Sequence, residues 1–249
     1  MWRARLPDPA QIKLLRAARE RFDLNPLVIH VNYLINLASA DPTIRAKSIQ
    51  GFRGELERAA DIGADYLVLH PGNCRGRCVD EGIASFALAL RDASHGLHSR
   101  GLTVLLENTA GSGANLGSRF EELQSIRDLA RDLTELPIGY CLDTCHLFAA
   151  GFDIRTAAGL RSMLRSAGDV LGLANVHVIH CNDSKAALGS RVDRHAGIGE
   201  GQIGEQAFRR ILQNRELRRK PFILETPIVK EDDDRRNLNT VKRLAARGR

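Results

Sequence analysis

Six short apolar runs punctuate this chain, and each stops on a residue able to bind a metal cation. LVIH ends at His30, YLVLH at His70, LLE at Glu107, CLD at Asp143, NVHVIH at His180 and FILE at Glu225. Helix-type sequence fills the gaps, and a strand, helix, strand repeat of this kind specifies a parallel sheet. In a parallel (β/α) barrel the C-terminal ends of all strands meet at one rim, where such folds place their chemistry. The pattern predicts strands near 27–31, 66–70, 103–107, 138–142, 176–180 and 221–225. That topology would gather residues scattered from position 30 to position 225.

Further donors lie beside these ends. Asp143 and His146 stand three apart in CLDTCHLFAAGFDIR, a metal-ligand spacing, and RVDRH adds Asp193 and His195. The chain has only eight histidines. His30, His70, His146, His180 and His195 occupy strand ends or the loops that follow, whereas His95, His98 and His177 fall in a helix or mid-strand and read as structural or surface residues. A lone strand-end histidine is most simply a satisfied core residue. Nine coincident donors (His30, His70, Glu107, Asp143, His146, His180, Asp193, His195 and Glu225) instead predict one polynuclear site at the barrel rim.

Length and composition agree with one catalytic domain over 1–249, since 249 residues at 43% hydrophobic content bury a large core. No Pro/Ser/Gly-rich linker or internal repeat divides it. Residues 41–62 read as a helix, opened by the cap Asp41-Pro42 and closed by Gly63. The acidic run 231–234 reads as a solvated helix start, and RRNLNTVKRLAARGR as an amphipathic final helix with a solvated basic face.

No stretch approaches the ~18–20 apolar residues of a membrane span, and MWRARLPDPAQIK lacks the apolar core of a signal peptide, so a cytoplasmic chain is expected. Five cysteines, an odd count without an export signal, argue for reduced thiols. Cys74 and Cys78 have a zinc-compatible spacing but no second pair and read as loop residues; Cys141 and Cys181 read as small packing residues. The net charge of +6 and a pI near 9.3 favour a polyanionic partner over a cationic one.

The blocks HPGN (70–73), LENTAGSGANLG (106–117), CLDTCHLFAAGFD (141–153), HCNDSK (180–185), RVDRHAGIGEG (191–201) and LET (224–226) resemble, in order and spacing, the signatures of the endonuclease IV family of apurinic/apyrimidinic endonucleases. The resemblance runs from about residue 27 to about residue 228. It implies an α/β fold, a TIM-type barrel of the xylose-isomerase-like kind holding three zinc ions. It also implies a hydrolase that cuts the phosphodiester 5′ to an abasic site in double-stranded DNA, leaves a 3′-hydroxyl, and cleans blocked 3′ ends.

Carried over, the resemblance assigns one zinc to His30, His70 and Glu107. Glu107 bridges to a second zinc bound also by Asp143, His180 and Glu225, and His146, Asp193 and His195 hold the third. Mixed imidazole and carboxylate ligation suits zinc better than magnesium. Glu107, Glu225 and Asp143 would carry the catalytic role as ligands, with the two glutamates able to orient the attacking water. DNA contacts are expected from Tyr33, from the small-residue loop 109–117 with Gly111, Gly113 and Asn115, and from Lys185, Arg191 and Arg194; for Tyr33 a packed loop aromatic is the alternative.

One departure from the family stands out. Six strands are read where eight are expected, so the barrel is expected to be incomplete at its N-terminus, with Met1-Trp2-Arg3 left of a DNA-penetrating loop. None of the nine donors falls in the absent part. The expectation is a monomer that binds zinc yet incises abasic DNA weakly. Two other readings stay open: a sugar isomerase or epimerase of related barrels, which use one or two divalent ions, and a non-catalytic DNA-binding remnant.

Overall fold

The computed structural model describes residues 7–97 and 101–246. His98, Met1-Trp2-Arg3 and the last three residues of the basic C-terminal run lie outside the described residues. The chain forms two compact units: the first runs to Glu107 and includes 114–116 and 122–139, and the second holds 108–113, 117–121 and Tyr140 onward.

The first unit opens with helix α1 (Pro9–Phe22), which the strand-end pattern does not announce. Asp8 caps it and Pro9 starts it, yet none of its residues is buried. It is held by guanidinium groups instead: Arg16 donates to the Asp61 carbonyl at 2.6 Å, while Arg19 reaches the Gly63 carbonyl at 2.6 Å and Asp65 at 2.7 Å. Strand β1 (Val28–His30) follows, then α2 (Pro42–Ile62), β2 (Tyr66–Leu69), α3 (Val79–Ser94) and β3 (Thr103–Glu107).

Helix α2 follows its sequence signals closely. Asp41 accepts the N–H groups of Thr43 and Ile44, Pro42 takes the first helical position, and Gly63 adopts the left-handed φ of 75° that ends the helix. Its Phe52, Leu56 and Ala59 are buried. Between the helices, Leu67, Val68 and Leu69 of β2 and Val104, Leu105 and Leu106 of β3 have no exposed surface, the continuous apolar run of a parallel strand covered on both faces. Registers pair His30 with Val68 and Val68 with Leu105. Helix α4 (Phe120–Arg131) leads to β4 (Ile138–Asp143), whose start lies in this unit.

The second unit carries the buried end of β4, then α5 (Thr144–Ala150), α6 (Ala157–Val170), β5 (Val176–His180), a short antiparallel ribbon of β6 (Asp183–Ser184) and β7 (His195–Ala196), α7 (Glu205–Gln213), β8 (Phe222–Ile223) and α8 (Asp233–Ala245). Parallel pairing sets Asp143 beside His180 and His180 beside Ile223. The six strands predicted from the apolar runs are all present. The last is shorter than 221–225 because the Glu225 N–H is taken at 2.8 Å by the Asn182 side chain, not by a strand neighbour.

The acidic run 231–234 differs from a solvated helix start. Asp233 is buried, and its Oδ2 accepts the N–H groups of Val229 and Lys230, both at 2.8 Å, so it fastens the loop before α8. The basic face of α8 is partly paired, Arg243 to Glu205 and Arg236 to Glu200. Cys141 and Cys181 are fully buried, as packing residues should be, while Cys78 is exposed. Among the described residues no helix is long and apolar enough to cross a membrane.

Replacing the α2 cap, Asp41→Ala, leaves two N–H groups without their acceptor and should cost ~1 kcal/mol. Chemical denaturation of the variant beside wild type checks this as a shift in midpoint at unchanged slope.

Candidate metal centre

In the first unit three donors converge because parallel strands of matched register end together. From the paired residues Val68 and Leu105, a step of two along each strand reaches His70 and Glu107 on the same face. His30 ends β1 beside Val68. Nε2 of His30 lies 3.0 Å and Nε2 of His70 3.2 Å from Oε2 of Glu107, and the two rings meet edge to face with centroids 5.2 Å apart. Glu107 is only 1% exposed at its side chain. His30 donates from Nδ1 to the Val31 carbonyl at 2.8 Å, which turns Nε2 towards the carboxylate.

In the second unit Asp143 ends β4 and is also the N-cap of α5. Its Oδ1 accepts the N–H of His146 at 2.7 Å. The three-residue spacing that reads as a ligand motif is thus a capping geometry as well. His146 donates from Nδ1 to the Asn108 carbonyl at 2.9 Å, and its Nε2 stands 3.1 Å from Oδ2 of Asp193. His195 donates from Nδ1 to the Glu225 carbonyl at 3.0 Å, with its Nε2 3.3 Å from Oδ1 of Asp193 and 3.8 Å from Oδ2 of Asp143. His180, at the end of β5, turns Nδ1 to within 3.1 Å of Oε2 of Glu225.

These donors fit a cation. In His30, His146 and His195 a backbone carbonyl engages Nδ1, which fixes the tautomer and leaves Nε2 as the ligand atom, the usual arrangement around metal-bound histidine. Nε2 of His195 is buried, and among the described residues it makes no well-aligned hydrogen bond although the Asp193 and Asp143 carboxylates lie 3.3 and 3.8 Å away. Burial alone would lower the His195 pKa, but Asp193 and Asp143 outweigh it and push it up to about 9. Burial raises and the two imidazoles lower the Asp193 pKa, with the imidazoles prevailing to hold it far below the usual carboxylate range. The pocket thus favours positive charge, and imidazole with carboxylate is the donor set of zinc-type ions.

Three residues that carry this geometry escape the strand-end pattern. Asn108 accepts the Asp143 N–H at 2.7 Å and supplies the carbonyl that orients His146. Asn182, buried, donates to Oδ2 of Asp143 and to Oε2 of Glu225 at 3.4 Å, and accepts the Glu225 N–H. Thr144 joins the same group through the carbonyl and N–H of Asn182. Their sequence signal is a place within two residues of a donor, as in LEN and HCND.

The residues expected to meet DNA lie outside these donor groups. Tyr33 is 89% exposed, so it is not a packed loop aromatic. Gly111 has a φ of 79° and is buried against Ser118, while Gly113, at φ 58°, and Asn115 are exposed. Asn115 accepts from Asn73 at 2.9 Å. The small-residue loop lies between β3 and α4, which starts at Phe120. Lys185, Arg191 and Arg194 are exposed. Arg191 holds a left-handed φ of 56°, fixed by its N–H on the Ala149 carbonyl and by Ser112 Oγ donating to its own carbonyl. The Arg194 guanidinium donates to the Asp193 carbonyl at 2.8 Å.

Residues 1–245 match the family model described as a xylose isomerase-like TIM barrel, a wider range than the motif blocks span. The fold is therefore of that class. "Probable endonuclease 4" of Solibacter usitatus is 71% identical over 245 residues, 98% of this chain and 84% of that protein. The protein of the same name from Halothermothrix orenii is 41% identical over 91% of this chain and 80% of its own length. The crystal structure of endonuclease IV from Thermus thermophilus superposes with a TM-score of 0.83 at 38% identity, covering 98% of this chain and 84% of that one. A D-tagatose 3-epimerase-like protein, at 22% identity and a TM-score of 0.68, shares the fold alone. The chain belongs to the endonuclease IV family, and so to the DNA-hydrolysing enzymes.

Asn182→Ala removes the amide that spaces the Asp143 and Glu225 carboxylates. Loss of such an outer partner should weaken metal binding about 10- to 100-fold. Competition between the variant and a chelator of known affinity measures the change; wild-type affinity would contradict the role.

Proposed function

We propose that this chain is a zinc-dependent apurinic/apyrimidinic endonuclease of base excision repair, a monomer folded as one barrel domain over 1–249. It hydrolyses the phosphodiester 5′ to abasic sites in double-stranded DNA, leaves a 3′-hydroxyl and clears blocked 3′ ends. The observation that carries the reading is the convergence of His146 and His195 on Asp193, a donor group beyond what a sugar isomerase with one or two ions needs. In this reading His30, His70 and Glu107 hold one zinc, Asp143, His180 and Glu225 a second, and His146, Asp193 and His195 a third.

A phosphodiester is anionic and has a poor alkoxide leaving group, and zinc, when bound, supplies positive charge that acidifies a water towards ~7 and neutralises charge on the departing oxygen. The chain's own residues do the rest. Glu225, about a third exposed, is placed to orient the attacking water, while Glu107 and Asp143 stay dry and hold their histidines in line. Exposed Lys185, Arg191 and Arg194 attract the phosphate backbone, the backbone of Gly111 and Gly113 lets a strand approach closely, and Asn115 adds a polar contact. Tyr33 offers an exposed ring to stack beside an everted nucleotide.

Elemental analysis after zinc-replete expression should find three zinc per chain; one manganese or magnesium without zinc would support the isomerase reading instead. Glu225→Gln keeps the size and removes the charge, so incision of an abasic duplex should fall ~10²-fold or more while DNA binding persists. Both are measured at one fixed salt concentration, because phosphate contacts make affinity salt-dependent. Near-normal incision by the variant would refute the assignment of Glu225.

A further inference from the structure

Asp183 follows Asn182 in the chain and belongs to none of the donor groups above, yet its side chain is completely buried. Its Oδ1 accepts the N–H groups of Ser184 at 2.7 Å and Ile203 at 2.9 Å. Its Oδ2 accepts those of Gly199 at 3.0 Å, Gly201 at 3.0 Å and Gly204 at 3.2 Å. A carboxylate can serve all five donors, because both oxygens only accept and charge strengthens each bond. The loop from Gly197 to Gly204 is thereby wrapped around one side chain.

The glycines of this loop are what the wrapping requires. Gly199 and Gly204 sit at φ of 84° and 80°, where a side chain is strained. A Cβ at Gly201 would collide with the Ser184 carbonyl and with Oδ1 of Asp183 itself. The loop begins directly after β7, and the ribbon pairs Asp183 with Ala196 and Ser184 with His195. The Lys185 N–H then reaches the Arg194 carbonyl at 2.9 Å and carries the pairing on towards Asp193. The loop's anchor is therefore also the strand partner of the segment that bears two donors.

We propose that Asp183 is a positioning residue for the cation site of His146, Asp193 and His195: by gathering the glycine loop behind β7 it holds Asp193 and His195 in register against His146. The identity of the ion rests on the zinc reading above; the anchoring does not. Asp183→Asn preserves shape but replaces one acceptor oxygen with an NH2 group that faces N–H donors, so at least two of the five bonds are lost whichever way the amide turns. Gly201→Ala disturbs the same contact from the loop side and keeps the carboxylate.

Wild type, D183N and G201A are compared by amide hydrogen exchange without metal and by zinc retained against graded chelator. In both variants the amides of Gly199, Gly201, Ile203 and Gly204 should lose protection. One zinc should bind about 10- to 100-fold more weakly while the other two match wild type. Unchanged protection, or zinc affinities that stay equal to wild type or weaken all together, would overturn the proposal. If D183N does not fold, G201A carries the same comparison. A wild-type protein that binds no zinc refutes the proposed function instead. The positioning claim is then decided by the His195 ring resonances, which shift in the variants if Asp183 holds the ring and stay in place if it does not.

Discussion

Burying carboxylates is the condition on which the site depends. A carboxylate taken out of water costs roughly several kcal/mol unless each oxygen finds a partner. Glu107, Asp143 and Asp183 are all fully buried. Each is answered by a different device: imidazole nitrogens around Glu107, a helix cap with an asparagine amide at Asp143, and five backbone N–H groups at Asp183. The surrounding structure reads as the means of delivering those partners. Asn182 serves this scheme because an asparagine can both donate and accept, so one side chain ties the Asp143 and Glu225 carboxylates to the Glu225 N–H, while the Asn108 side chain accepts from and donates to the Asp143 backbone.

Strand register converts this local chemistry into a site. Side chains alternate along a strand, so a slip of one residue would turn His70, Glu107 or His180 from the site face to the other. Pairing of Leu69 with Leu106 and of Asp143 with His180, backed by strands whose Leu, Val and Ile residues are buried, makes such a slip costly. In each unit the strand-end donors thus inherit their placement from the core beneath them. Exposed residues follow a different rule: Tyr33, Lys185, Arg191 and Arg194 face solvent because no packing demands hold them inward.

Much of the architecture is legible in the chain alone because its signals are short in range. Apolar runs of three to six residues mark strands, and Asp41-Pro42 and Gly63 mark the ends of α2. Six of the nine donors are found the same way, each at the end of a run, and His146 lies three residues beyond one, while Asp193 and His195 stand in a loop. Helix α1 escapes such a reading because it buries nothing and is held by Arg16 and Arg19 to α2's C-terminal end and the loop beyond it, contacts more than forty residues away. The buried Asp233 escapes it for a similar reason: within an acidic run nothing local distinguishes a solvated carboxylate from one that fastens a loop.

The donors and their strand-end positions are written in the sequence, since residue type and apolar periodicity are properties of a few neighbours. Which donors converge, which histidine nitrogen faces the neighbouring carboxylates, and which uncharged neighbours hold them still were decided only by folding. His146 meets Asp193 across 47 residues, and the Glu225 carbonyl orients His195 across 30. Asp183 gathers glycines up to 21 residues away. Such contacts depend on strand register and loop closure, which arise from the packing of the whole core and leave no periodic trace at the residues concerned.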